Sequence, residues 1–429
     1  MTSIQFYRET NFKRTPIGKI PKDWRMVKLT DKGITQIRGT QKVYGFHKVA
    51  FISMELISNS RIYIQYKIRD VKDIKSYTYC EAGDLLLPKI TPCFENGKQG
   101  IVPFDVPNGF ALATTEVFPI VCQGVDRLFL FYILKFNKLR KILEFSMRGT
   151  TGRQRVPKDA VERLKIPLPP IKEQQKIVEV LSVVDLAIQK TDEIIAKTQR
   201  LKKGLMQELL TKGIGYKEFK DTEIGRIPED WEVVKLKDVI LEAKPGFACG
   251  KRDENGILQL RMDNIETEGW INTQAGVRIP VPKNVEEYLL KPGDILFNNT
   301  NSADLIGKTA IFRGEFSRCV YSNHLTRIRV NPNKVLPEWI LYIFIRNWRR
   351  GIFRAIRHQH VHQAGINKAD LLNLKIPIAP LKEQRSITKM LLSVDKKLRI
   401  EMKEKKKLER IKQALMDLLL TGKIRVKVD

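Results

Sequence analysis

The sequence lacks the features that would place this protein in a membrane or an oxidising compartment. Its 429 residues contain no apolar run near the ~20 residues that a membrane-spanning helix requires. Its opening residues, MTSIQFYRETNFKR, show no apolar core of a secretory signal. The five cysteines are scattered and no CxxC pair occurs, so neither a disulfide framework nor a zinc ribbon is indicated. We therefore expect a cytoplasmic protein without a membrane partner.

The sequence also lacks a recognisable catalytic set. The motifs GxGxxG, GxSxG and HExxH and the dipeptide Pro-Asp are absent. The segment Asn301–Thr309 ends like a phosphate-binding loop, but Ser302 stands where the first glycine is required and a strand is predicted to follow. His358, His360 and His362 alternate and could chelate a metal, yet no cysteine or carboxylate lies alongside, which favours a DNA-facing or turn role. We therefore predict no catalytic residue and no metal site.

The composition points instead to a polyanionic partner. The formal net charge is +29, and hydrophobic residues make up 42% of the chain. The apolar content suffices for folded cores, which excludes a wholly disordered chain. A positive charge of this size is typical of nucleic-acid-binding proteins, and a general excess of lysine and arginine, as in heat-adapted or ribosomal proteins, is the alternative.

One unit of about 210 residues occurs twice along the chain. The segment IGKIPKDWRMVKL at Ile17–Leu29 returns as IGRIPEDWEVVKL at Ile224–Leu236. The segment KIPLPPIKEQQKIVEVLSVVD at Lys165–Asp185 returns as KIPIAPLKEQRSITKMLLSVD at Lys375–Asp395, with more than half of its residues unchanged. The pairs AGDLLL and PGDILF, and GLMQELLTKG and ALMDLLLTGK, follow the same order. A nearly constant offset indicates an internal duplication.

The two copies agree unevenly, because residues 39–81 and 246–290 share almost no identity while the flanking segments match closely. The common parts should do one job twice, and the divergent parts are free to do two different jobs. Turn residues separate β-rich runs in each copy, which predicts mixed α/β domains. We predict strands in RIYIQYKI, GDLLLPKI, KTAIF and LTRIRV, and one helical segment per copy in LFLFYILKFNKLRKIL and PEWILYIFIRNWRRGIF.

The shared block predicts a long helix in each copy, Ile171–Lys212 and Leu381–Leu420. Apolar residues recur at the 4–3 spacing of a heptad seam, in which Lys202 is a charged exception. Prolines precede both helices, and Gly213 and Gly422 suit the left-handed position after a helix. The predicted seam residues are Ile177, Leu181, Val184, Ile188, Ile195 and Leu205 in the first copy and Ile387, Leu391, Val394, Leu398, Leu408 and Leu415 in the second.

A narrow apolar seam needs a partner, and the helix of the other copy is the obvious one. The alternative is that each helix packs on its own globular part. We favour an intramolecular coiled coil because the seam lies at the same place in both copies. The long connection between the helices permits either orientation. We expect the antiparallel one, with a pseudo-two-fold axis between the copies, because it places a globular part at each end.

Most of the positive charge lies outside the two long helices, so the globular parts should face the polyanion. Arg346, Arg350, Arg354 and Arg357 recur at helical spacing and predict one basic helix face. Arginine and glutamine can read guanine and adenine, and a solvated face or phosphate contacts alone are the alternatives. The candidate DNA-binding residues are Lys89, Thr91, Asn96, Lys98, Arg148, Arg153, Gln154, Arg155, Asn298, Asn299, Asn301, Lys308, Arg346, Arg349, Arg350, Arg354, Arg357, His358, Gln359 and His360.

This layout resembles the specificity (S) subunits of type I restriction–modification systems over essentially the whole chain. The resemblance rests on the paired openings IPKDW and IPEDW, the GDLL and GDIL strands, the IPLPPIKEQQKI and IPIAPLKEQRSI segments and the LLTKG and LLTGK helix ends. It implies target recognition domains at 1–158 and 216–367 and conserved spacer helices at 159–215 and 368–429. Each recognition domain would read one half of a split, asymmetric target in double-stranded DNA.

The resemblance also implies the partners. Two methyltransferase subunits and ATP-driven translocase/nuclease subunits would dock on the chain. S-adenosylmethionine, ATP and Mg²⁺ would be bound by those subunits, with no cofactor on this chain. A stand-alone DNA-modifying or DNA-cleaving enzyme is the main alternative, and a structural RNA-binding adaptor is a third hypothesis. Few clustered aromatic residues argue against the adaptor.

Overall fold

The chain divides into two compact units in a computed structural model that describes residues 5–150, 152–359 and 363–428. Unit 1 combines residues 1–191 with 404–429, and unit 2 comprises residues 192–403. Each unit therefore holds one globular part and one half of each long helix. His360, one of the candidate DNA-binding residues, lies outside the described residues.

Eight α-helices occur in the described part of the chain, and two of them are far longer than the rest. The helix α4 has 42 residues and α8 has 39, so each spans roughly 60 Å at 1.5 Å per residue. The helices are α1 (Arg127–Lys135), α2 (Asn137–Phe145), α3 (Lys158–Arg163), α4 (Ile171–Lys212), α5 (Pro337–Arg349), α6 (Ile352–Ala355), α7 (Lys368–Leu372) and α8 (Leu381–Leu419).

The strands are short and distributed over both units. Those of unit 1 are β1 (Phe6–Arg8), β2 (Phe12–Thr15), β3 (Gly18–Pro21), β4 (Arg25–Lys28), β5 (Thr35–Ile37), β6 (Lys48–Ile52), β7 (Lys67–Asp70), β8 (Thr78–Glu81), β9 (Leu85–Pro88), β10 (Gly100–Ile101), β11 (Phe110–Ala113), β12 (Val117–Cys122), β13 (Lys165–Leu168) and β28 (Ile424–Val426). Those of unit 2 are β14 (Phe219–Thr222), β15 (Gly225–Pro228), β16 (Glu232–Lys235), β17 (Ile240–Pro245), β18 (Ile257–Leu260), β19 (Val277–Ile279), β20 (Ile295–Asn298), β21 (Thr300–Asn301), β22 (Thr309–Ile311), β23 (Cys319–Tyr321), β24 (Leu325–Val330), β25 (His358–Gln359), β26 (Ala364–Gly365) and β27 (Lys375–Ile378).

Both units build the same main sheets although their divergent sequences share almost nothing. The antiparallel sheet β10-β9-β12-β5 of unit 1 corresponds to β22-β20-β24-β17 of unit 2. The mixed sheet β7-β6-β11-β8 corresponds, in three of its strands, to β19-β18-β23. Its parallel pair, β6 with β11, is repeated by β18 with β23. The mixed α/β fold predicted for the duplicated domains is therefore confirmed.

Two sequence predictions about local structure are wrong. The apolar segment of each copy forms two helices instead of one, because Phe136 is extended between α1 and α2, and Gly351 is left-handed (φ 76°) between α5 and α6. The predicted strand RIYIQYKI is mostly irregular, with only its last residues in β7. The strands predicted in GDLLLPKI, KTAIF and LTRIRV are confirmed as β9, β22 and β24.

The continuous apolar run in α1 reflects complete burial and not a membrane span. All six residues from Phe129 to Leu134 are buried, and the run Trp339–Ile345 in α5 is buried in the same way. A helix that is apolar on every face lies inside a domain core. Among the described residues, no helix combines the length and the apolar character needed to cross a bilayer.

The two long helices pair antiparallel within each unit. In unit 1, Ile177 and Leu181 near the start of α4 share a core with Met416 and Leu419 near the end of α8. In unit 2, Met206 and Leu210 near the end of α4 share a core with residues near the start of α8, Ile387 and Leu391. The chain therefore contains the antiparallel coiled coil that the heptad seam predicts.

The predicted seam residues all face away from solvent to some degree. Six of the twelve are buried, and the other six are half-buried because the pair has open sides. The buried set is Ile177, Leu181, Ile188, Ile387, Leu391 and Leu398, and the half-buried set is Val184, Ile195, Leu205, Val394, Leu408 and Leu415.

The paired sequence motifs are explained by buried contacts at the start of each long helix. The indole of Trp24 donates to Glu173 (3.0 Å), and Trp231 donates to Glu383 at the same distance in unit 2. The neighbouring glutamine, Gln174 or Gln384, accepts from the backbone of the globular part and donates to the carbonyl preceding its helix. The DW and KEQ motifs therefore meet in space and seat each domain on its helix.

Replacing the glycine after α4 and the glycine inside α4 with alanine should change the stability of the protein in opposite directions. Gly213 has φ 64°, and a Cβ there would lie 2.6 Å from Glu383 Oε1, so Gly213→Ala should cost about 1–2 kcal/mol. Gly204 lies inside α4 with open space around it, so Gly204→Ala, the matched control, should gain up to ~1 kcal/mol. Urea unfolding midpoints of the two variants should shift in opposite directions, and shifts of one sign would contradict this account of the helix end.

Candidate nucleic-acid interface

Two candidate segments that are far apart in the sequence lie side by side in unit 1. The Thr91 amide donates to the Gln154 carbonyl (2.9 Å), and the Val156 amide donates to the Lys89 carbonyl (2.8 Å). Arg148 and Arg155 also exchange backbone hydrogen bonds of 3.0 and 2.9 Å. The loop after β9 and the glycine-rich segment before α3 therefore form one surface.

Some of the arginine side chains on this surface are exposed, and one is already paired with a carboxylate of the protein. Arg148 and Arg153 are exposed. Arg155 binds both oxygens of Glu116 at 2.9 and 2.8 Å, and this hydrogen bonding holds the pKa of the Glu116 carboxyl below its usual range. Any anion that binds Arg155 must compete with this carboxylate, whereas Arg148 and Arg153 present their charge outward.

The loop at residues 91–98 is held by a buried arginine that the sequence analysis missed. Arg140 is 5% exposed, and its guanidinium donates to the carbonyls of Phe94 (2.9 and 2.6 Å) and Lys98 (3.1 Å) and to Gln99 Oε1 (2.9 Å). Burial lowers the pKa of Arg140 to about 10. Arg140 lies on the same face of α2 as the buried Leu139 and Leu143, and this place on the apolar face was the signal that could have identified it.

Four candidate residues lie on or beside that loop. Asn96 is exposed, and the Thr91 hydroxyl donates to Glu95 (2.7 Å). The Lys98 ammonium donates to the Met54 carbonyl (2.9 Å), and the Lys89 ammonium lies 5.2 Å from the centre of the Phe118 ring. The loop is therefore a fixed element, and of these four candidates Asn96 is the exposed one.

Unit 2 brings its two candidate segments together in the same way. Asn301 in β21 pairs with Ala364 in β26, which pairs in turn with Gln359 in β25. His358 in β25 pairs with Gly365. The His358 ring contacts Asp370 (2.6 Å) and Asn367 (3.1 Å) through Nε2. The segment after the GD strand therefore lies beside the segment after the second helix in both units.

Several asparagine and lysine candidates of unit 2 point inward. Asn298 is fully buried, and neither atom of its side-chain amide has a hydrogen-bond partner among the described residues. The Asn299 amide donates to the Asn323 carbonyl (3.1 Å) and the Thr326 hydroxyl (2.9 Å). The Lys308 ammonium donates to the Ile265 carbonyl (2.8 Å), and burial lowers its pKa. The side chains of these residues therefore hold the loop in place, and they are less available to a ligand.

The arginine series of unit 2 does not form one helix face. Gly351 separates α5, which ends at Arg349, from α6, which holds Arg354. Arg349 forms an ion pair with Glu268, and Arg354 forms one with Asp304 at 2.7 Å. The prediction of a continuous basic face is therefore wrong, because a left-handed glycine turns the chain between the arginines.

A cleft of roughly 860 Å³ collects the remaining basic residues of this region. Arg346, Arg350 and Arg357 line it, with Lys375 and the acidic Asp370. Burial is the first cause that lowers the pKa of Arg346, to about 10, and the neighbouring Arg350 adds to it. The cleft can hold an anionic group such as a phosphate, which would relieve the repulsion between adjacent guanidinium groups.

Within residues 5–150, 152–359 and 363–428, no cluster of three or more metal-ligating side chains occurs. The segment that resembles a phosphate-binding loop leads into the strand β22 and not into a helix.

Comparison with known proteins identifies close relatives along the whole chain. The family model of the type I restriction modification DNA specificity domain matches twice, at residues 21–199 and 228–410. Two proteins of Methanocaldococcus jannaschii are each 31% identical to this chain, the putative type I restriction enzyme MjaX specificity subunit over 448 residues and the type I restriction enzyme MjaVIII specificity subunit over 443. The matches cover 99% of this chain in both cases, and 99% and 98% of those proteins.

Two solved structures share the fold. A type I restriction–modification S subunit from M. genitalium gives a TM-score of 0.58 at 14% identity, covering 94% of this chain and 98% of that chain. A chain from a structural study of type I R-M complex assembly and conformational transition gives a TM-score of 0.52 at 21% identity, covering 94% and 99%. At these identities the likeness concerns the fold alone.

Loss of the buried arginine should loosen the loop at residues 91–98. Arg140→Met removes hydrogen bonds from a charged group, each worth ~1.5–3 kcal/mol, so backbone amides of this loop should exchange at least about tenfold faster. Hydrogen exchange measured by mass spectrometry on the full chain checks this. The matched control is Lys141→Met, at the exposed neighbouring position on α2. Equal exchange in the two variants would show that Arg140 does not hold the loop.

Proposed function

Because this chain belongs to the type I restriction–modification DNA specificity family, we propose that it is the DNA-reading subunit of a type I complex. Each globular part binds one half of a split, asymmetric target in duplex DNA. One observation carries this proposal: the same fold is built twice, and two unlike sets of polar side chains occupy the same place in it. Unlike side chains on like frameworks suit two different half-sites.

The chemistry of the two surfaces supports DNA as the ligand. Unit 1 offers exposed arginines beside a fixed loop, and unit 2 offers an arginine-lined cleft beside β21 and β25. Arginine binds phosphate oxygens and the guanine edge, and asparagine and glutamine suit adenine. The candidate residues divide between these roles, with the buried Asn298 and the half-buried Lys308 shaping the loops that carry the others.

The antiparallel helix pair serves as the spacer between the two readers. Helices of roughly 60 Å are stiff on the scale of a duplex turn, which is ~34 Å. We propose that this pair sets the gap between the half-sites, and half-sites about one turn apart would lie on one side of the DNA.

The duplicated helices also provide two like docking surfaces. We propose that two methyltransferase subunits bind them, because a repeated surface binds two copies of one partner. Translocase/nuclease subunits complete the complex. S-adenosylmethionine, ATP and Mg²⁺ belong to those partners, so this chain contributes recognition in the cytoplasm and no catalysis.

Exchange of one recognition domain should alter one half-site only. Replacing residues 39–155 with the corresponding part of a relative should change one half of the methylated sequence and leave the other half and the gap intact. Methylome sequencing of a host carrying the complete system measures this. A change in both halves would contradict modular reading. Methyl transfer or DNA cleavage by the purified chain alone, given S-adenosylmethionine and Mg²⁺, would favour the stand-alone enzyme.

The arginines of unit 2 should contribute to the salt dependence of DNA binding. Each phosphate contact adds about 0.9 to the slope of log K against log salt, so the triple variant Arg346→Ala, Arg350→Ala, Arg354→Ala should reduce the slope by up to ~3. Binding of a duplex containing the target is titrated across salt concentrations. A charge-matched control replaces Lys389, Lys396 and Lys397, which are exposed on α8. An unaltered slope in the arginine variant would remove this region from the interface.

A further inference from the structure

The charge that interrupts the heptad seam is buried in an ion pair between the two long helices. Lys202 of α4 is 1% exposed, and its ammonium lies 2.6 Å from Oδ1 of Asp395 on α8, which is 2% exposed. The Tyr342 hydroxyl donates to the other oxygen of Asp395 (2.8 Å). One carboxylate therefore connects α4, α8 and α5 within unit 2.

The same three residue types form the same set in unit 1. The Lys412 ammonium of α8 donates to Oδ1 of Asp185 on α4 (2.5 Å), and the Tyr132 hydroxyl of α1 donates to Oδ2 (2.7 Å). Each member of the unit 2 set differs from its counterpart by 210 positions. In both sets the tyrosine and aspartate come from one copy of the repeat, and the lysine comes from the other copy.

This crossed arrangement distinguishes between helix orientations. In a parallel pair, equivalent positions face each other, so Asp185 would meet Asp395 and Lys202 would meet Lys412. Like charges would then be buried together twice, which is strongly unfavourable. In the antiparallel pair every buried charge meets its opposite, and because both copies separate aspartate and lysine by 17 positions, one register satisfies both pairs.

A buried ion pair is a poor source of net stability but a strong source of specificity. Its attraction is offset by the cost of removing both charges from water, whereas an unpaired buried charge is severely penalised. Polar residues in apolar seams specify register and oligomer state in other coiled coils at a cost in stability. An apolar seam alone tolerates a slide of one heptad, about 10 Å, far better than a seam containing these charges.

We infer that the two Tyr–Asp–Lys sets are positioning residues that select the antiparallel orientation and register of α4 and α8 and seat each recognition domain on that pair. The tyrosine fixes the position of the recognition domain as well, because its hydroxyl can donate to the aspartate only when α1 or α5 packs over the ion pair. The consequence for the gap between half-sites rests on the proposed function, whereas the selection of register does not.

The two sets are unequal, which adds a check on the inference. In unit 2 the lysine also contacts Glu268 (2.5 Å), whose carboxylate pairs with Arg349, and the set is almost wholly buried. In unit 1, Lys412 is 17% and Asp185 is 12% exposed. Reversal of one charge should therefore disturb unit 2 more than unit 1.

The register is measured by the distance between two spin labels in the full chain. Labels carried by unnatural amino acids at Arg200 and Lys389, both exposed in unit 2, leave the native cysteines untouched. The chain with its natural seam should give one narrow distance distribution, measured by double electron–electron resonance. An apolar variant replaces both lysines with Met, both aspartates with Leu and both tyrosines with Phe. It should give a second population shifted by several ångströms.

A charge-swapped variant provides the rescue. Lys202→Asp alone places two carboxylates together, and adding Asp395→Lys restores an opposite pair. All variants of this series carry Glu268→Gln, because Glu268 also pairs with Lys202 and would otherwise repel an aspartate there. The single reversal should broaden the distance distribution and lower the thermal midpoint, and the swap should recover most of both. The exposed pair Lys176 and Glu179, changed to Met and Gln, is the control and should leave the distribution unchanged.

Two results would overturn the inference. One is a folded apolar variant that keeps the single original distance, since the apolar seam would then suffice. The other is a charge swap whose distance distribution and thermal midpoint are the same as those of the single reversal. This second result tests the inference even if the apolar variant does not fold. Neither measurement needs DNA, so both test the register alone. If the chain keeps its register as inferred but methylome sequencing finds no split target, the proposed DNA-reading function fails and the inference about register stands.

Discussion

The structure depends on the burial of one narrow apolar stripe against its own copy. Neither α4 nor α8 can bury its seam alone, because a stripe at heptad spacing covers only part of a helix surface. Antiparallel pairing satisfies both helices and gives each unit one half of each helix. The globular parts then attach through the repeated tryptophan–glutamate and glutamine contacts. The common sequence of the two copies is the part that makes these contacts.

Repetition made the large-scale fold predictable. The offset between motifs, the seam and the glycines after the helices were enough to define both long helices within one residue, and Gly213 and Gly422 adopt the expected left-handed conformation. The breaks at Phe136 and Gly351 were not predictable from apolar periodicity, because the core covers both sides of these helices. Where burial is complete, the pattern no longer marks where a helix turns.

The candidate interface was only partly predictable. Charge and position identified segments that converge in both units, which sequence distance alone does not reveal. What each side chain does depends on neighbours from distant segments. Arg155 meets Glu116 and Arg354 meets Asp304, so formal charge overstates the positive field available to a ligand. Arg140 escaped notice because burial of a guanidinium requires carbonyl groups that only the folded loop provides.

Arg140 and Arg350 occupy equivalent positions 210 residues apart, yet one is buried beneath a loop and the other lines an open cleft. An alignment of the two copies would report an unchanged residue and suggest a shared role. The same amino acid can thus be kept at equivalent positions of a duplicated protein while it supports a loop in one copy and lines a surface cleft in the other. Mutational tolerance measured in one half of the gene therefore does not transfer to the other half, even at positions that have not diverged.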